Sequence, residues 1–109
     1  MILDFNTMPF QELPNFKGGE GALRAQMYFD GTTRIFRGIL APGSSIGLHR
    51  HEDNCEFLFL LRGTGTLIED GERHTLMAGQ CTYCPNGHEH SLLNESDAEL
   101  EFYAAIPKQ

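Results

Sequence analysis

The stretch Pro42–Gly63, PGSSIGLHRHEDNCEFLFLLRG, contains two histidines one residue apart, an acid five positions later and a glycine near each end. Because side chains alternate across a strand, His49 and His51 point to the same face of an extended segment. The sequence EDNC then predicts a turn, and Glu56 opens the next strand. If that strand runs antiparallel to the first, the Glu56 carboxylate returns beside the two imidazoles. The stretch therefore predicts metal ligands at the start of an apolar strand.

A second His-x-His pair, His88 and His90, lies on a later strand. If three of these four imidazoles meet one carboxylate inside a barrel, they form a mixed nitrogen and oxygen site with room for water or a substrate. Such donors suit Mn, Fe, Ni, Co, Cu or Zn better than Mg or Ca. An ion held by them can act as a Lewis acid or lower the pKa of water. We therefore expect one divalent transition metal ion, with Fe, Mn, Ni and Zn as the candidates.

Short strand-like segments separated by turns run through most of the chain. Asp-Gly is the strongest hairpin signal, because a type I′ turn needs positive φ at both central positions, and it occurs at Asp30-Gly31 and Asp70-Gly71. Strands spaced roughly 8–12 residues apart predict an all-β sandwich or closed barrel without a convincing helix. Residues 1–21 contain too many helix-breaking residues for a helix, and we expect them to wrap the surface as an N-terminal arm.

The composition excludes several classes of partner. The 109 residues predict one domain, and 8 basic against 15 acidic residues give a formal charge of −7. Nucleic acid is therefore excluded as a partner, because its recognition needs a basic patch. The longest apolar run, Phe57–Leu61, is far shorter than the roughly 20 residues of a membrane span, and no signal-peptide pattern opens the chain. Three cysteines favour a reducing compartment, so we expect a cytoplasmic protein.

Two motifs in the chain resemble those of the cupin family at each defining position. The first is Gly43-x5-His49-x-His51-x4-Glu56-x6-Gly63, and the second is Gly79-x5-Pro85-x-Gly87-x2-His90-x3-Asn94. The resemblance implies a double-stranded β-helix, or jelly-roll, barrel over residues 22–106 of a single domain 1–109, with the motifs at 43–63 and 79–94. It also implies that His49, His51, Glu56 and His90 ligate the metal.

The inward faces of the predicted strands describe a mostly apolar cavity around the metal. The predicted substrate-pocket residues are Ile46, Leu58, Leu92, Phe102 and Ala104. Arg34 or Arg37 would bind an anionic group if its side of the strand faced inward, and the alternation of side chains leaves open which one does. His88, at the entrance to the second ligand strand, is the candidate catalytic residue for proton transfer.

The segment Phe57–Leu61 is apolar on both faces, so each face needs a cover. The second cover is either the arm and the packing of the other sheet or, as we expect, the partner in a homodimer. Cys81 and Cys84 are three residues apart and face opposite sides of a strand, which predicts structural cysteines rather than a redox or zinc pair. Cys55 is predicted as an oxidation-sensitive thiol at the rim of the site.

Cupins include dioxygenases, isomerases, epimerases, lyases, decarboxylases and non-catalytic binding proteins, so the resemblance does not specify a reaction. The interpretation that we favour is a metal-dependent enzyme acting on a small organic metabolite by oxidative cleavage of the dioxygenase type, because the cavity lacks an obvious general acid and base. One alternative is a non-redox isomerase or lyase acting on a sugar or uronate. The other is a cupin that binds a small molecule without turnover.

Overall fold

The computed structural model describes residues 1–109, and its regular structure is built from β-strands and one short 3₁₀ turn at Phe16–Gly18. The strands are β1 (Gln11–Pro14), β2 (Ala22–Phe29), β3 (Arg34–Leu40), β4 (Ser45–Arg50), β5 (Glu56–Arg62), β6 (Thr64–Glu69), β7 (Glu72–Met77), β8 (Cys81–Cys84), β9 (Glu89–Leu93) and β10 (Leu100–Ile106). The all-β prediction is confirmed. No helix in the structure is long and apolar enough to cross a membrane.

The strands form two antiparallel sheets that face each other as a jelly roll. The larger sheet has the order β1-β2-β3-β10-β5-β8, and the smaller has the order β4-β9-β6-β7. Alternate side chains from both sheets meet between them, as period-2 patterning requires. The buried core consists of Leu23, Ala25, Phe36, Leu40, Ile46, Leu58, Leu60, Leu76, Leu92, Leu100, Phe102 and Ala104.

The two Asp-Gly turns differ. Asp70 and Gly71 have φ values of 47° and 83° and join β6 to β7 in a two-residue turn, as a type I′ hairpin requires. Between β2 and β3 the loop has four residues, 30–33, so the expectation of a two-residue type I′ turn at Asp30-Gly31 is wrong. The reason is the Asp30 carboxylate, which accepts hydrogen bonds from two later backbone N–H groups at 2.9 and 2.8 Å and stabilises the longer loop.

The strand that begins with Glu56 does not pair with the strand of His49 and His51. β4 pairs with β9, whereas β5 lies between β10 and β8 in the other sheet. The chain crosses from one sheet to the other through a loop in which Asp53 has a φ of 62°. The conditional expectation of an antiparallel β4–β5 pair is therefore wrong. Glu56 instead approaches the imidazoles across the interior, because both strands turn these side chains inward.

The N-terminal arm lies on the outer face of the larger sheet of its own barrel. It contributes β1, which pairs with β2. Gln26 is buried, and its side-chain amide donates hydrogen bonds to the carbonyl oxygens of Phe5 and Met8. The Phe5 ring packs against Tyr103 with 5.4 Å between ring centroids. These contacts hold the arm against the sheet, although the arm itself contains little regular secondary structure.

Candidate metal centre

The four side chains named from the motifs converge inside the barrel. His90 Nε2 lies 2.7 Å from Glu56 Oε1, 3.0 Å from His51 Nε2 and 3.2 Å from His49 Nε2. His51 Nε2 lies 3.1 Å from the same Glu56 oxygen, and His49 Nε2 lies 4.0 Å from it. The four donor atoms are all within 4.8 Å of one another. Three imidazole nitrogens and one carboxylate oxygen can therefore hold one metal ion.

The donor set suits a transition metal ion. Imidazole nitrogens and a carboxylate oxygen bind such ions at about 2.0–2.2 Å, so donors around one ion lie about 3–4 Å apart. The separations given above are 2.7–4.0 Å. His49, His51, Glu56 and His90 would therefore hold one such ion.

The backbone around the first histidine pair aims the imidazoles. His49 lies directly opposite His90 in the β4–β9 ladder, and the register shifts between Ile46 and His49. Gly47, within this irregularity, packs so closely on the 3₁₀ turn that a Cβ there would lie 2.1 Å from the Lys17 carbonyl oxygen. A side chain at this position would displace either the turn or the ligand strand.

Two hydrogen bonds set the tautomers of the first histidine pair. His49 Nδ1 lies 2.7 Å from the Gly47 carbonyl oxygen, and His51 Nδ1 lies 2.7 Å from Asn54 Oδ1. An Nδ1–H that donates to an oxygen leaves the Nε2 lone pair free to face the ion. Asn54 was not singled out from the sequence, although its place as a polar residue in the short loop between two ligands was a usable signal.

In the ion-free site, protonation couples the buried carboxylate to the imidazoles. Burial by itself raises the pKa of the Glu56 carboxyl, but hydrogen bonds from His51 and His90 outweigh it and hold that pKa at about 2. Burial by itself lowers the pKa of His51, but hydrogen bonds to Glu56 and Asn54 outweigh it and raise that pKa, so a bound ion would compete with the proton on His51 Nε2. Burial lowers the pKa of His49 to about 4. At neutral pH the site therefore offers a carboxylate and a neutral imidazole, the forms that ligate metals.

A cavity of about 420 Å³ opens onto the four donors. Its apolar wall consists of Phe16, Phe29, Phe36, Ile46, Leu58 and Ile106. Its other lining residues are Lys17, Thr32, Arg34, Arg50, Glu52, Asn54 and the donors themselves. The 3₁₀ turn, the β2–β3 hairpin tip and the loop after β4 therefore form the rim.

The predicted pocket residues divide by depth. Ile46 and Leu58 line the cavity, whereas Leu92, Phe102 and Ala104 point inward but lie in the core below it. Two residues along a strand advance about 6.6 Å, so inward positions farther from the mouth join the packed floor. Alternation gives the direction of a side chain but not its depth, and for this reason these three residues were expected in the pocket.

The structure resolves the alternative between the two arginines. Arg34 lines the cavity. Arg37 lies on the outer face of the larger sheet, where it donates hydrogen bonds to Glu101 at 2.9 Å and to Gln26 Oε1 at 3.1 Å. Residues three apart on β3 face opposite sides, so only one of them reaches the interior.

His88 lies outside the cavity. Its imidazole is exposed, and its Nδ1 lies 2.6 Å from Asp70 Oδ2 in the β6–β7 turn. Strand β9 begins only after His88, so the residue belongs to the preceding loop and does not share the inward face of His90. This position does not support the catalytic role expected for His88, because no contact connects its imidazole to the four donors.

The three cysteines are free. Cys81 is exposed and Cys84 is buried, so they face opposite sides of β8 as predicted. Burial raises the pKa of the Cys84 thiol to about 12, which leaves the thiol protonated and unreactive. Cys55 is only 2% exposed, so the expectation of an oxidation-sensitive thiol at the rim is wrong. The C-terminal segment lies against this position, where the Cys55 N–H donates a hydrogen bond to the Pro107 carbonyl oxygen at 3.2 Å.

Comparison with known proteins identifies the family. The sequence matches the cupin domain family over residues 36–106, well over half of the chain. The chain belongs to the cupin family. This is the family that the two sequence motifs resemble, and the matched residues include all four donors.

Relatives of this cupin include an oxalate-binding protein from Thermotoga maritima. It is 31% identical over 112 residues, which cover 97% of this chain and 93% of the relative. A crystal structure described as a predicted oxalate decarboxylase, also from Thermotoga maritima, superimposes with a TM-score of 0.93 at 29% identity and covers 100% of both chains. A Cupin 2 conserved barrel domain protein from Salinispora arenicola superimposes with a TM-score of 0.77 at 26% identity. The superposition covers 99% of this chain and 88% of the Salinispora chain.

Replacing Asn54 by alanine is expected to weaken metal binding by this cupin about 10–100-fold, because His51 loses the acceptor that orients its ring. Competition of the purified protein with a chromophoric chelator measures the affinity. Asn54→Asp keeps an acceptor oxygen and is expected to retain the native affinity. Equal metal affinity in Asn54→Ala and the native protein would show that Asn54 does not position the ligand.

Proposed function

We propose that this cupin binds one divalent transition metal ion through His49, His51, Glu56 and His90 and uses it to hold a small carboxylate ligand in the adjacent cavity. The observation that carries the proposal is the convergence of the four donor atoms at the base of that cavity. The native ion is to be sought among Fe, Mn, Ni and Zn. When bound, it supplies positive charge that attracts and polarises oxygen ligands.

A small dicarboxylate suits the site, because one carboxylate would bind the ion while the other lies in the cavity beside it. Oxalate is the first ligand to test, because the relative that is 31% identical is an oxalate-binding protein. The chain's own contribution is to exclude water: Phe36, Ile46 and Leu58 form an apolar wall beside the donors. Water exclusion strengthens the attraction between the ligand's charge and the site.

Turnover of the carboxylate by carbon–carbon bond cleavage is the second candidate function. The observation in its favour is that the buried imidazoles and carboxylate of the cavity are all metal donors, which suits an oxidative cleavage carried by the ion better than a reaction carried by a buried acid and base. An isomerase or lyase acting on a sugar or uronate would need a proton-transfer residue beside the ligand. His88, which was expected in that role, lies outside the cavity, so we rank that alternative below binding and below oxidative cleavage.

Metal analysis combined with calorimetry tests the proposed function. Protein purified without added metal is expected to contain close to one equivalent of a transition metal ion. Oxalate should bind this protein, and the heat of binding should vanish after the metal is stripped and return when it is restored. Product analysis with and without dioxygen then separates binding from cleavage. If the native protein contains no metal, or if oxalate and other small carboxylates fail to bind, the proposal is wrong.

We further propose that the outer face of β5 is covered by a second copy of this chain, in a cytoplasmic homodimer. Phe59 and Leu61 on β5 are 50% and 42% exposed, and Tyr83 and Tyr103 on the flanking strands are 46% and 39% exposed. Phe59 lies opposite Tyr103 in the β5–β10 register, so the apolar patch is continuous. The arm covers only its margin, through Phe5.

Phe59→Glu is expected to convert the homodimer into a monomer, because a charge would be desolvated at the centre of the apolar interface. Light scattering during gel filtration measures the mass. Leu48→Glu, on the exposed outer face of β4, is the matched control and should leave the dimer intact. A native protein that elutes as a monomer at high concentration would contradict the proposed interface.

A further inference from the structure

We propose that Arg34 and Lys17 form an anion clamp at the cavity and that the ligand of this cupin is consequently a small dianion, whose second negative charge the clamp binds. This inference rests on the proposed metal-dependent binding of a carboxylate and adds the residues that select its charge. Both cationic side chains line the cavity that contains the four metal donors.

The first observation is that the clamp residues lack carboxylate partners in an acidic chain. The protein has 15 acidic and 8 basic side chains, so most cations find a counterion. The paired arginines are Arg24 with Glu12, Arg37 with Glu101, Arg50 with Glu89, Arg62 with Glu99 and Glu101, and Arg73 with Glu95. Arg34 is the one arginine outside this pattern. Lys17 also has no ion pair, and the other unpaired lysine, Lys108, does not line the cavity.

The second observation is that Arg34 is held in place without being neutralised. Its guanidinium lies over the Phe29 ring, 4.5 Å from the ring centroid, and one of its N–H groups points to Met27 Sδ at 3.3 Å. A thioether is only a weak hydrogen-bond acceptor. Stacking on the face of a ring leaves the N–H groups at the edge of the guanidinium without partners. Most of the Arg34 donors therefore remain available for a planar carboxylate, which guanidinium binds in a bidentate fashion.

Lys17 also lines the cavity, from a different segment of the chain than Arg34. It belongs to the 3₁₀ turn and has a φ of 54°, a left-handed conformation uncommon for lysine. The turn is held against β4, because the Lys17 carbonyl packs on Gly47 beside the metal ligands. Contacts of the backbone therefore position this lysine, while its ammonium group has no carboxylate partner.

The charges around the cavity add up to a preference for a dianion. A divalent ion with three neutral imidazoles and the Glu56 carboxylate carries one net positive charge. Arg34 and Lys17 add two, Glu52 on the rim removes one, and Arg50 is paired with Glu89. The sum is two positive charges facing the ligand in a protein whose overall charge is negative. Such a site attracts a dianion more strongly than a monoanion of the same shape.

Oxalate and oxamate provide the test, because they have similar shapes and differ by one negative charge. Isothermal titration calorimetry is carried out on protein loaded with its copurifying metal, and the metal content is measured again afterwards because oxalate chelates metals. The native protein is expected to bind oxalate at least about tenfold more tightly than oxamate. In Arg34→Gln this ratio is expected to fall below about threefold, and Lys17→Asn, which tolerates positive φ, is expected to reduce it.

Arg73→Gln is the matched control, since it removes the same charge from a residue paired on the surface, and it should keep the native ratio. Arg34→Gln must also keep the native metal content, which shows that its site is intact. An unchanged oxalate-to-oxamate ratio in Arg34→Gln would overturn the clamp while leaving the proposed carboxylate-binding function in place. Absence of binding of both ligands to the native protein would instead refute the proposed function.

Discussion

His90→Ala is expected to abolish stoichiometric metal binding while the barrel stays folded. His90 Nε2 lies within 3.2 Å of all three other donors, so its removal takes away the central contact of the cluster. The loss should exceed the roughly 10–100-fold effect of losing a residue that only supports a ligand. The core cluster contains none of the donors, so the far-UV circular dichroism spectrum and cooperative unfolding should persist.

Elemental analysis of the purified variant measures this result. His74→Ala is the matched control, because His74 is an exposed imidazole whose nearest acidic partner is Glu72 on its own strand. It should retain the native metal content. His51→Ala is expected to behave like His90→Ala. Full metal occupancy in either ligand variant would show that the four donors named here are not the metal site.

Phe102→Ala is expected to lower the free energy of unfolding of the metal-free protein by about 3–5 kcal/mol. The Phe102 side chain is 0% exposed and meets the Phe36 ring edge to face at 5.6 Å between centroids. It also fills the space above Gly38, where a Cβ would lie 2.3 Å from the ring. Because a domain of this kind is stable by only about 5–15 kcal/mol, the variant should lose a large fraction of its stability.

Urea denaturation followed by circular dichroism measures this loss in the presence of a chelator. Leu48→Ala removes an apolar side chain that is 55% exposed and should change the free energy of unfolding by no more than about 0.5 kcal/mol. If Phe102→Ala cost as little as Leu48→Ala, the ring would not form the floor of the barrel. Metal-loaded protein should show the same difference between the two variants, because neither residue touches the donors.

Local patterns predicted much of the fold. The alternation of side chains placed His49 with His51 and Glu56 with Leu58 on inward faces, as observed. The Asp70-Gly71 pair predicted its hairpin because only a two-residue turn with two positive φ values was needed there. At Asp30-Gly31 the predicted hairpin also forms, but through a four-residue loop, because side-chain hydrogen bonds of Asp30 compete with the two-residue turn.

The sequence predicted less well which distant strands pair or pack together. The sequence suggested that Glu56 returns on a neighbouring strand, but β5 lies in the other sheet and reaches the imidazoles across the barrel. The same limitation affected the pocket: Phe102 and Ala104 point inward as expected, yet the opposite sheet packs on them and removes them from the cavity. His88 was expected to transfer protons from the loop that enters the second ligand strand, but its imidazole pairs with Asp70 outside the cavity.

The amino-acid sequence alone identified the four donors, the direction of most strand side chains and the family, because spacing and alternation are properties of neighbouring residues on an extended backbone. Only the folded chain showed that the four donors lie within 4.8 Å of one another, that Phe102 lies in the core rather than in the cavity lining, and that Arg34 rather than Arg37 lines the cavity. These features depend on which distant strands pack together. Contacts between residues far apart in sequence leave no periodic signal in the chain, so they emerge only when the two sheets close.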